Sequence, residues 1–247
     1  MADHCRDEYL AMLSHELRNP LGAIVTASAL LSPLSADQVK LVAILKRQSS
    51  RLSRLLEDLL DASRVTQKKI PLHRRTLDLC AVIRAAVEQS KTLFEERGVA
   101  IDVELDPSLV VDGDAERLEQ TFVNLLDNAA RYTPPGGRAS IVARRERDRV
   151  VVRVSDDGVG LTPEVRERVF DLFVQAERTL DRSAGGLGVG LAVVRAIVDQ
   201  HGGTVSAASD GPGRGSCFTV ELPPANKLVS GVRPAVNPSS AALPRAR

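Results

Sequence analysis

Leu10, Leu13, Leu17, Leu21, Ile24 and Leu31 recur at spacings of three, four and one full seven, which aligns them on one face of an α-helix and predicts a buried seam over residues 3–31. Pro20 falls inside that helix; without an N–H it cannot bond the Glu16 carbonyl, so a kink is expected there. Ser32–Ser35, with Pro33, closes the helix. A second helix follows to about residue 63, on Val42, Leu45, Ser49, Leu52, Leu56 and Leu59, with Leu41, Leu55 and Leu60 as a second apolar edge. That stripe is wider than a lone hairpin covers. Two hairpins pairing as a four-helix bundle are expected, a homodimer through residues 3–63; a hairpin packed on the following domain is the alternative.

After Arg64 the period changes. Ile70–Leu77 alternates as an edge strand behind a hinge near Thr66. A helix is predicted from Asp78 to Arg97, ended by Gly98 as its C-terminal cap. Val99–Leu105 alternates as a strand, and beyond the turn at Asp106–Ser108 the triplet Leu109–Val111 is expected to add a short strand to the sheet. Asp114 is expected to cap a helix running to about Tyr132, stopped by the turn TPPGG. Arg138–Arg145 and Arg149–Ser155 read as an antiparallel pair across the charged turn RERD. Thr162 and Pro163 open a short helix ending in FDLF, and Gly185–Val194 is a glycine hinge running into a helix that ends at His201 and Gly202. Strands mixed with long helices, without regular alternation, indicate the α+β class. Beyond Leu222, four prolines before Ser239 and no periodicity mark a linker or tail. The expected division is therefore 1–65, 66–223 and 224–247.

Composition narrows the chemistry. A net charge of +1 indicates no strongly charged partner surface, so no nucleic-acid partner is expected. No glycine is followed by Lys-Ser or Lys-Thr, which excludes a P-loop. Cys5, Cys80 and Cys217 are odd in number and far apart, so neither a disulfide framework nor a zinc site is expected. No apolar run reaches the roughly 18 residues of a membrane span, and the polar start is no signal peptide. The expected location is cytoplasmic.

Several groups remain for chemistry. His15 lies two residues from both Leu13 and Leu17, so its imidazole points away from the seam, towards solvent or a partner. Asn124, Asn128 and Arg131 stand at i, i+4 and i+7, which stacks two carboxamides and a guanidinium on one helix face. An asparagine oxygen suits Mg²⁺ as a single protein ligand, and arginine beside it suits phosphate; amides that cap or bridge helices are the alternative. Asp156 stands at a strand end, where its carboxylate can accept from an exocyclic amine, and Gly158 and Gly160 let backbone approach a planar base. Phe170 and Phe173 are two of only five phenylalanines, equally readable as plain core. Backbone amides at the start of the helix beyond Gly185 can bind phosphate without a lysine.

SHELRNPL, Ser14–Leu21, resembles the phosphoacceptor box of sensor histidine kinases, in which the histidine takes a phosphoryl group from ATP. NLLDNAARY resembles their asparagine box, SDDGVG the first glycine box, FDLF the phenylalanine box, GGLGVGLAVV the second glycine box and GPGRGSCFTV the last one. The resemblance covers about 220 of the 247 residues, with the boxes in family order. It implies the histidine kinases of two-component signalling: a helical hairpin forming a dimeric four-helix bundle, followed by an α/β-sandwich ATP-binding domain of the GHKL or Bergerat fold. By that resemblance His15 is the phosphoacceptor and Glu16 its general base, with ATP and Mg²⁺ as cofactors and the receiver domain of a response regulator as partner. Asn128 would hold Mg²⁺ and Asn124 assist catalysis, Arg131 stands where many members have lysine, and Tyr132 flanks the nucleotide. Asp156 would read the adenine amino group between Gly158 and Gly160, while Phe170 and Phe173 anchor a lid over Gln175–Ala184. Gly186, Leu187, Gly188, Gly190 and Leu191 belong to the second glycine box, and Ser216 stands where threonine is more usual. Glu16 with Asn19 forms the pattern associated with dephosphorylating the regulator, although an asparagine before proline is also common at surfaces. A GHKL ATPase of the gyrase, mismatch-repair or chaperone kind would carry glutamate in place of Asn124 and lack SHELRNPL. A nucleotide-binding scaffold without turnover is separated from the kinase by activity alone.

Overall fold

The structure, a computed structural model, describes residues 72–174 and 188–225, with isolated helical positions at 24, 26, 45, 48, 49 and 52. Of the predicted seam, Ile24, Leu45 and Leu52 are half-buried and Ser49 is exposed. The rest of the hairpin lies outside the described residues, as do the Pro20 kink, the hinge near Thr66, the segment Gln175–Ala184 and the tail beyond residue 225.

Strand β1 (Arg75–Asp78) leads directly into helix α1 (Leu79–Arg97). Asp78 keeps extended dihedrals and accepts from the Cys80 N–H at 2.9 Å, so it caps the helix rather than joining it. Helix α1 buries Leu79, Val82, Ile83, Ala86, Ser90 and Phe94, a stripe at helical spacing. It stops at Gly98, whose φ of 64° lets Val99 N–H return to the Phe94 carbonyl at 3.0 Å. Strand β2 (Ala100–Leu105) and strand β3 (Val110–Gly113) follow. Asp114 then caps helix α2 (Ala115–Tyr132), accepting from Arg117 N–H at 3.2 Å.

Strands β4 (Arg138–Glu146) and β5 (Arg149–Asp156) pair antiparallel as their alternation predicts. Helix α3 (Pro163–Arg168) is a short one, and helix α4 (Gly190–Gln200) leads to strands β6 (Thr204–Ala208) and β7 (Ser216–Leu222). The five-stranded sheet runs β2-β4-β5-β7-β6, with β2 parallel to β4 and every other pair antiparallel. One face, through Ala139, Ile141, Val150, Val152, Val154, Phe218 and Val220, packs in a single core with Ile83, Leu118, Phe122, Leu125, Leu126, Val194 and Val198 of the helices. Exposed ion pairs such as Arg144–Glu104 and Arg153–Glu146, both 2.6 Å, lie along the strands outside that core; at such exposure they add little stability. The α+β class expected from the sequence is the observed one, a two-layer sandwich of helices on one mixed sheet.

Three expectations are corrected, and two strands lie where none is expected. Leu109–Val111 does not extend the main sheet: β3 pairs with β1 in a separate two-stranded sheet, because the left-handed turn at Ser108 (φ 61°) redirects the chain beneath the start of α1, where the Leu109 carbonyl accepts from Leu79 N–H at 2.8 Å. The edge strand begins only at Arg75, since the backbone N–H of His73 is committed at 2.7 Å to the Asp114 carboxylate. Helix α3 ends at Arg168, short of FDLF, whose Phe173 has a φ of 67° that no α-helix accommodates. Strands β6 and β7 were not expected. The glycines before Ser216 mask the alternation of Phe218, Val220 and Leu222, which β5 and β6 on either side turn into a buried strand. Among the described residues no helix is long and apolar enough to cross a membrane.

One buried polar link ties the ends of two helices. His201 is 3% exposed; its Nε2 accepts from Asp114 N–H at 3.0 Å, and its Nδ1 lies 2.7 Å from the Ile197 carbonyl, to which it donates in the neutral ring. Burial lowers its pKa against the Ile197 hydrogen bond, with Arg74 adding to the lowering and Asp114 opposing it. The folded ring therefore stays neutral while the unfolded one takes a proton below about 6.5. His201 thus costs stability as pH falls from there towards its lowered value, at a slope approaching ~1.4 kcal/mol per pH unit. Burial raises the Asp114 carboxyl, but the N–H groups of His73, Arg117 and Glu116 outweigh it, so its own contribution is lost only at more acid pH. His201→Gln is expected to be less stable at pH 7.5 yet to lose less on going to pH 5.5; parallel stability–pH curves from denaturant melts would contradict this.

Candidate functional site

Helix α2 carries both the core and the site. Its apolar stripe is fully buried, while Asn124, Asp127, Asn128, Arg131 and Tyr132 on the other side are only half-covered. Asn124 and Asn128 share that polar stripe but differ in their commitments. Asn124 donates from Nδ2 to the Gly190 carbonyl at 3.2 Å, which fastens the first residue of α4 to α2. The Asn128 carboxamide makes no hydrogen bond among the described residues, which leaves a half-buried oxygen for an external ligand. Arg131 pairs with Asp127 at 3.3 Å.

Asp156, the last residue of β5, sits among backbone. Its Oδ1 accepts from Gly158 N–H at 2.9 Å and its Oδ2 from the Ser216 hydroxyl at 2.5 Å. Burial raises the carboxyl above its ordinary value, while the Ser216 and Gly158 hydrogen bonds pull it back. Each carboxylate oxygen keeps a lone pair for another donor. Gly158 is pressed between this carboxylate and the Tyr132 carbonyl, which accepts from Val159 N–H at 3.0 Å. A Cβ at Gly158 would come within 2.8 Å of the Asp156 Oδ1 and would overlap the Tyr132 carbonyl, so only glycine fits. Gly215 closes the other side, with φ 68° and an N–H bonded to the Gly158 carbonyl at 3.0 Å; its Cβ would lie 2.9 Å from the Asp156 carbonyl carbon. Gly160 lies against the Gly211 carbonyl. Ser209 braces both turns, accepting from Leu161 N–H at 3.0 Å and donating to the Gly215 carbonyl at 2.7 Å.

Helix α4 begins without a side-chain cap, which leaves its first N–H groups for an anion. Leu191 is half-buried and packs against the core. Phe170 is buried, edge-on to Phe218 with ring centroids 6.1 Å apart, and the Arg195 guanidinium lies 5.4 Å over its ring. Phe173 is not core; its N–H donates to the Gly188 carbonyl at 2.9 Å and so joins the two ends of the segment between them. Gly186 and Leu187 lie outside the described residues, as do His15, Glu16 and Asn19.

The structure thus brings Asp156, Gly158, Gly160 and Ser216 into one cradle backed by Tyr132, and Asn124 onto Gly190. Sequence reasoning missed Ser209, Gly215 and Arg195. The first two stand in a glycine-rich turn that signals tight backbone without saying what it grips, and an exposed arginine on a helix carries no signal. The donor set fits a magnesium nucleotide. One uncommitted amide oxygen suits a cation that takes its other oxygens from phosphate and water, and no group of three or more potential metal-ligating side chains exists among the described residues to hold a metal without the nucleotide.

Residues 113–226 match the family of histidine kinase-, DNA gyrase B- and HSP90-like ATPases, and residues 5–68 the His Kinase A (phospho-acceptor) domain. The adaptive-response sensory kinase SasA of Thermosynechococcus vestitus is 38% identical over 88% of this chain and 60% of its own length. The circadian input-output histidine kinase CikA of Synechococcus elongatus is 33% identical over 94% of this chain and 32% of its own. The chain therefore spans between about a third and three fifths of these two relatives. Among solved structures, the histidine kinase AdeS of Acinetobacter baumannii superposes with a TM-score of 0.66 at 27% identity, over 85% of this chain and 97% of that one. Full-length ShkA in complex with AMPPNP gives 0.66 at 30%, over 87% of this chain and 45% of that one.

The cradle predicts a pH effect. The ionised Asp156 is the stronger acceptor, and protonation turns one of its oxygens into a donor, so a nucleotide whose amino group it held would lose affinity as pH drops through its raised pKa. Ser216→Ala removes a donor to the charged form and should move that fall to higher pH, whereas Ser216→Thr should leave it in place. Calorimetric titrations between pH 4.5 and 8 showing one common profile would refute the coupling.

Proposed function

Because the chain belongs to the sensor histidine kinases of two-component signalling, we propose that it phosphorylates itself on His15 with the γ-phosphate of ATP and passes the group to an aspartate in the receiver domain of a response regulator. The observation that carries the reading is the Asp156 cradle: an acceptor at a strand end, walled by backbone that only glycine permits, on the same domain as a helix start without a side-chain cap. Asp156 accepts from the adenine amino group. The N–H groups that open α4 take phosphate oxygens with Arg131. Asn128 would hold Mg²⁺, which when bound draws negative charge from the phosphate oxygens. Asn124 keeps α4 against the floor of the site.

For the transfer, an imidazole nitrogen of His15 forms the new bond to phosphorus as the bond to the β,γ-bridging oxygen breaks, and ADP carries away that electron pair. Glu16, adjacent in sequence, takes or holds the imidazole proton. Such a step needs alignment and charge stabilisation more than covalent help from the protein. A homodimer through residues 3–63 supplies the histidine-bearing helices, and cytoplasmic ATP supplies the donor. The ATPase alternative lacks its general base, since position 124 is an amide that donates to Gly190. For dephosphorylation of the regulator, Asn19 stands four residues after His15 in the sequence, a spacing that on a helix would bring both to nearly one face, where its carboxamide would orient a water for attack on the aspartyl phosphate.

His15→Gln should abolish acid-labile, base-stable label from γ-labelled ATP while leaving ATP affinity unchanged; label that persists on this variant moves the acceptor elsewhere. Asp156→Asn should weaken ATP by about 10- to 100-fold, in line with an unpaired buried donor and acceptor, and GTP far less. Asn19→Ala should retain labelling of His15 but lengthen the lifetime of the phosphorylated regulator. Equal lifetimes with wild type, measured with nucleotide present, would remove Asn19 from the dephosphorylation step.

A further inference from the structure

Asp127 has no part in the reading above, and its place is chemically awkward. A carboxylate on the polar stripe of α2, next to Asn128 and one turn from Arg131, repels the phosphates the site is meant to attract. Its hydrogen bonds explain it. Oδ1 accepts from the Ser90 hydroxyl of α1 at 3.2 Å, and Ser90 is 1% exposed, fixed in the seam between the two helices. Oδ2 takes Nη2 of Arg131 at 3.3 Å, with the two side chains only 25% and 18% exposed. A line of constraint thus runs from the core through Ser90 and Asp127 to the guanidinium.

We propose that Asp127, held by Ser90, is a positioning residue that aims Arg131 at the nucleotide phosphates; this rests on Arg131 gripping phosphate. A free arginine samples many rotamers and surrenders them on binding. Here one N–H is spent on the carboxylate, and the others in the rigid fork stay available. The carboxylate reduces the long-range attraction for phosphate and gives direction in exchange, a preorganisation effect. Where arginine replaces lysine this matters more, because a planar fork binds phosphate only when correctly turned.

The test is calorimetric titration of ATP and adenosine into the full chain. Asp127→Asn keeps the shape and can still accept from Ser90, but loses the charge on Arg131. It should weaken ATP by about fivefold and leave adenosine unchanged. Ser90→Ala should weaken ATP in the same direction by a smaller factor. In an Arg131→Met background, Asp127→Asn should add no further loss, which a merely structural role would not produce. Equal ATP affinity of Asp127→Asn and wild type, a parallel loss of adenosine, or the same fold-loss with and without Arg131 would overturn the proposal. An Arg131→Met protein that binds ATP normally removes the phosphate role of Arg131 and the proposal with it; a large Arg131→Met effect beside a silent Asp127→Asn removes the proposal alone.

Discussion

The nucleotide half of this molecule depends on keeping a carboxylate, Asp156, largely out of water at the end of a strand. Such a group costs free energy unless donors surround it. They come from the Gly158 N–H and the Ser216 hydroxyl, one from the turn after β5 and one from the start of β7. Bringing both within reach forces backbone against backbone: Gly158 on the Tyr132 carbonyl, Gly215 on the Asp156 carbonyl. The glycines are there because the carboxylate is. Ser209, by bonding to Leu161 and Gly215 together, holds the two turns at that separation.

Helix α2 transmits this order to the rest of the domain. Its apolar side fills the core, so its polar side has a fixed bearing, and every group on that side inherits it. The helix is held at its N-terminus by Asp114, whose carboxylate also anchors His73 and whose N–H is taken by His201 at the end of α4. The segment just before β1, the start of α2 and the end of α4 thus meet at Asp114. Residues 223–225 arrive nearby, where Ala225 N–H bonds the Val110 carbonyl at 3.0 Å on β3. The segments entering and leaving the domain share one small sheet.

The phosphate end solves a different problem. With no P-loop lysine, the proposed phosphate site draws, among the described residues, on the N-terminus of α4 and on Arg131, neither of which can follow a ligand as a lysine can. Both are braced from behind, α4 by Asn124 on Gly190 and Arg131 by Asp127 on Ser90. Geometry stands in for mobile charge.

Sequence alone determined what local chemistry enforces. Asp78, Asp114 and Gly98 were legible as helix boundaries because a short acceptor or a left-handed residue has few other uses there. The β4–β5 hairpin was legible because alternation of period two survives out of context. The boxes from Asn124 to Ser216 are read as a nucleotide site through their resemblance to the histidine kinases, and the structure brings Asp156, Gly158, Gly160 and Ser216 together. Tertiary structure decided what depends on neighbours distant along the chain. Leu109–Val111 could have joined the main sheet until the turn at Ser108 carried β3 to β1, and residues 204–208 carry no strong strand signal until β7 pairs with them. Phe170 and Phe173 look alike in FDLF, yet only Phe170 meets Phe218. Two asparagines one turn apart are equivalent in sequence, and the position of Gly190 commits one and leaves the other free. Residue type and spacing fix what a group can do; the packing of segments far apart in sequence fixes which of those capacities is already used.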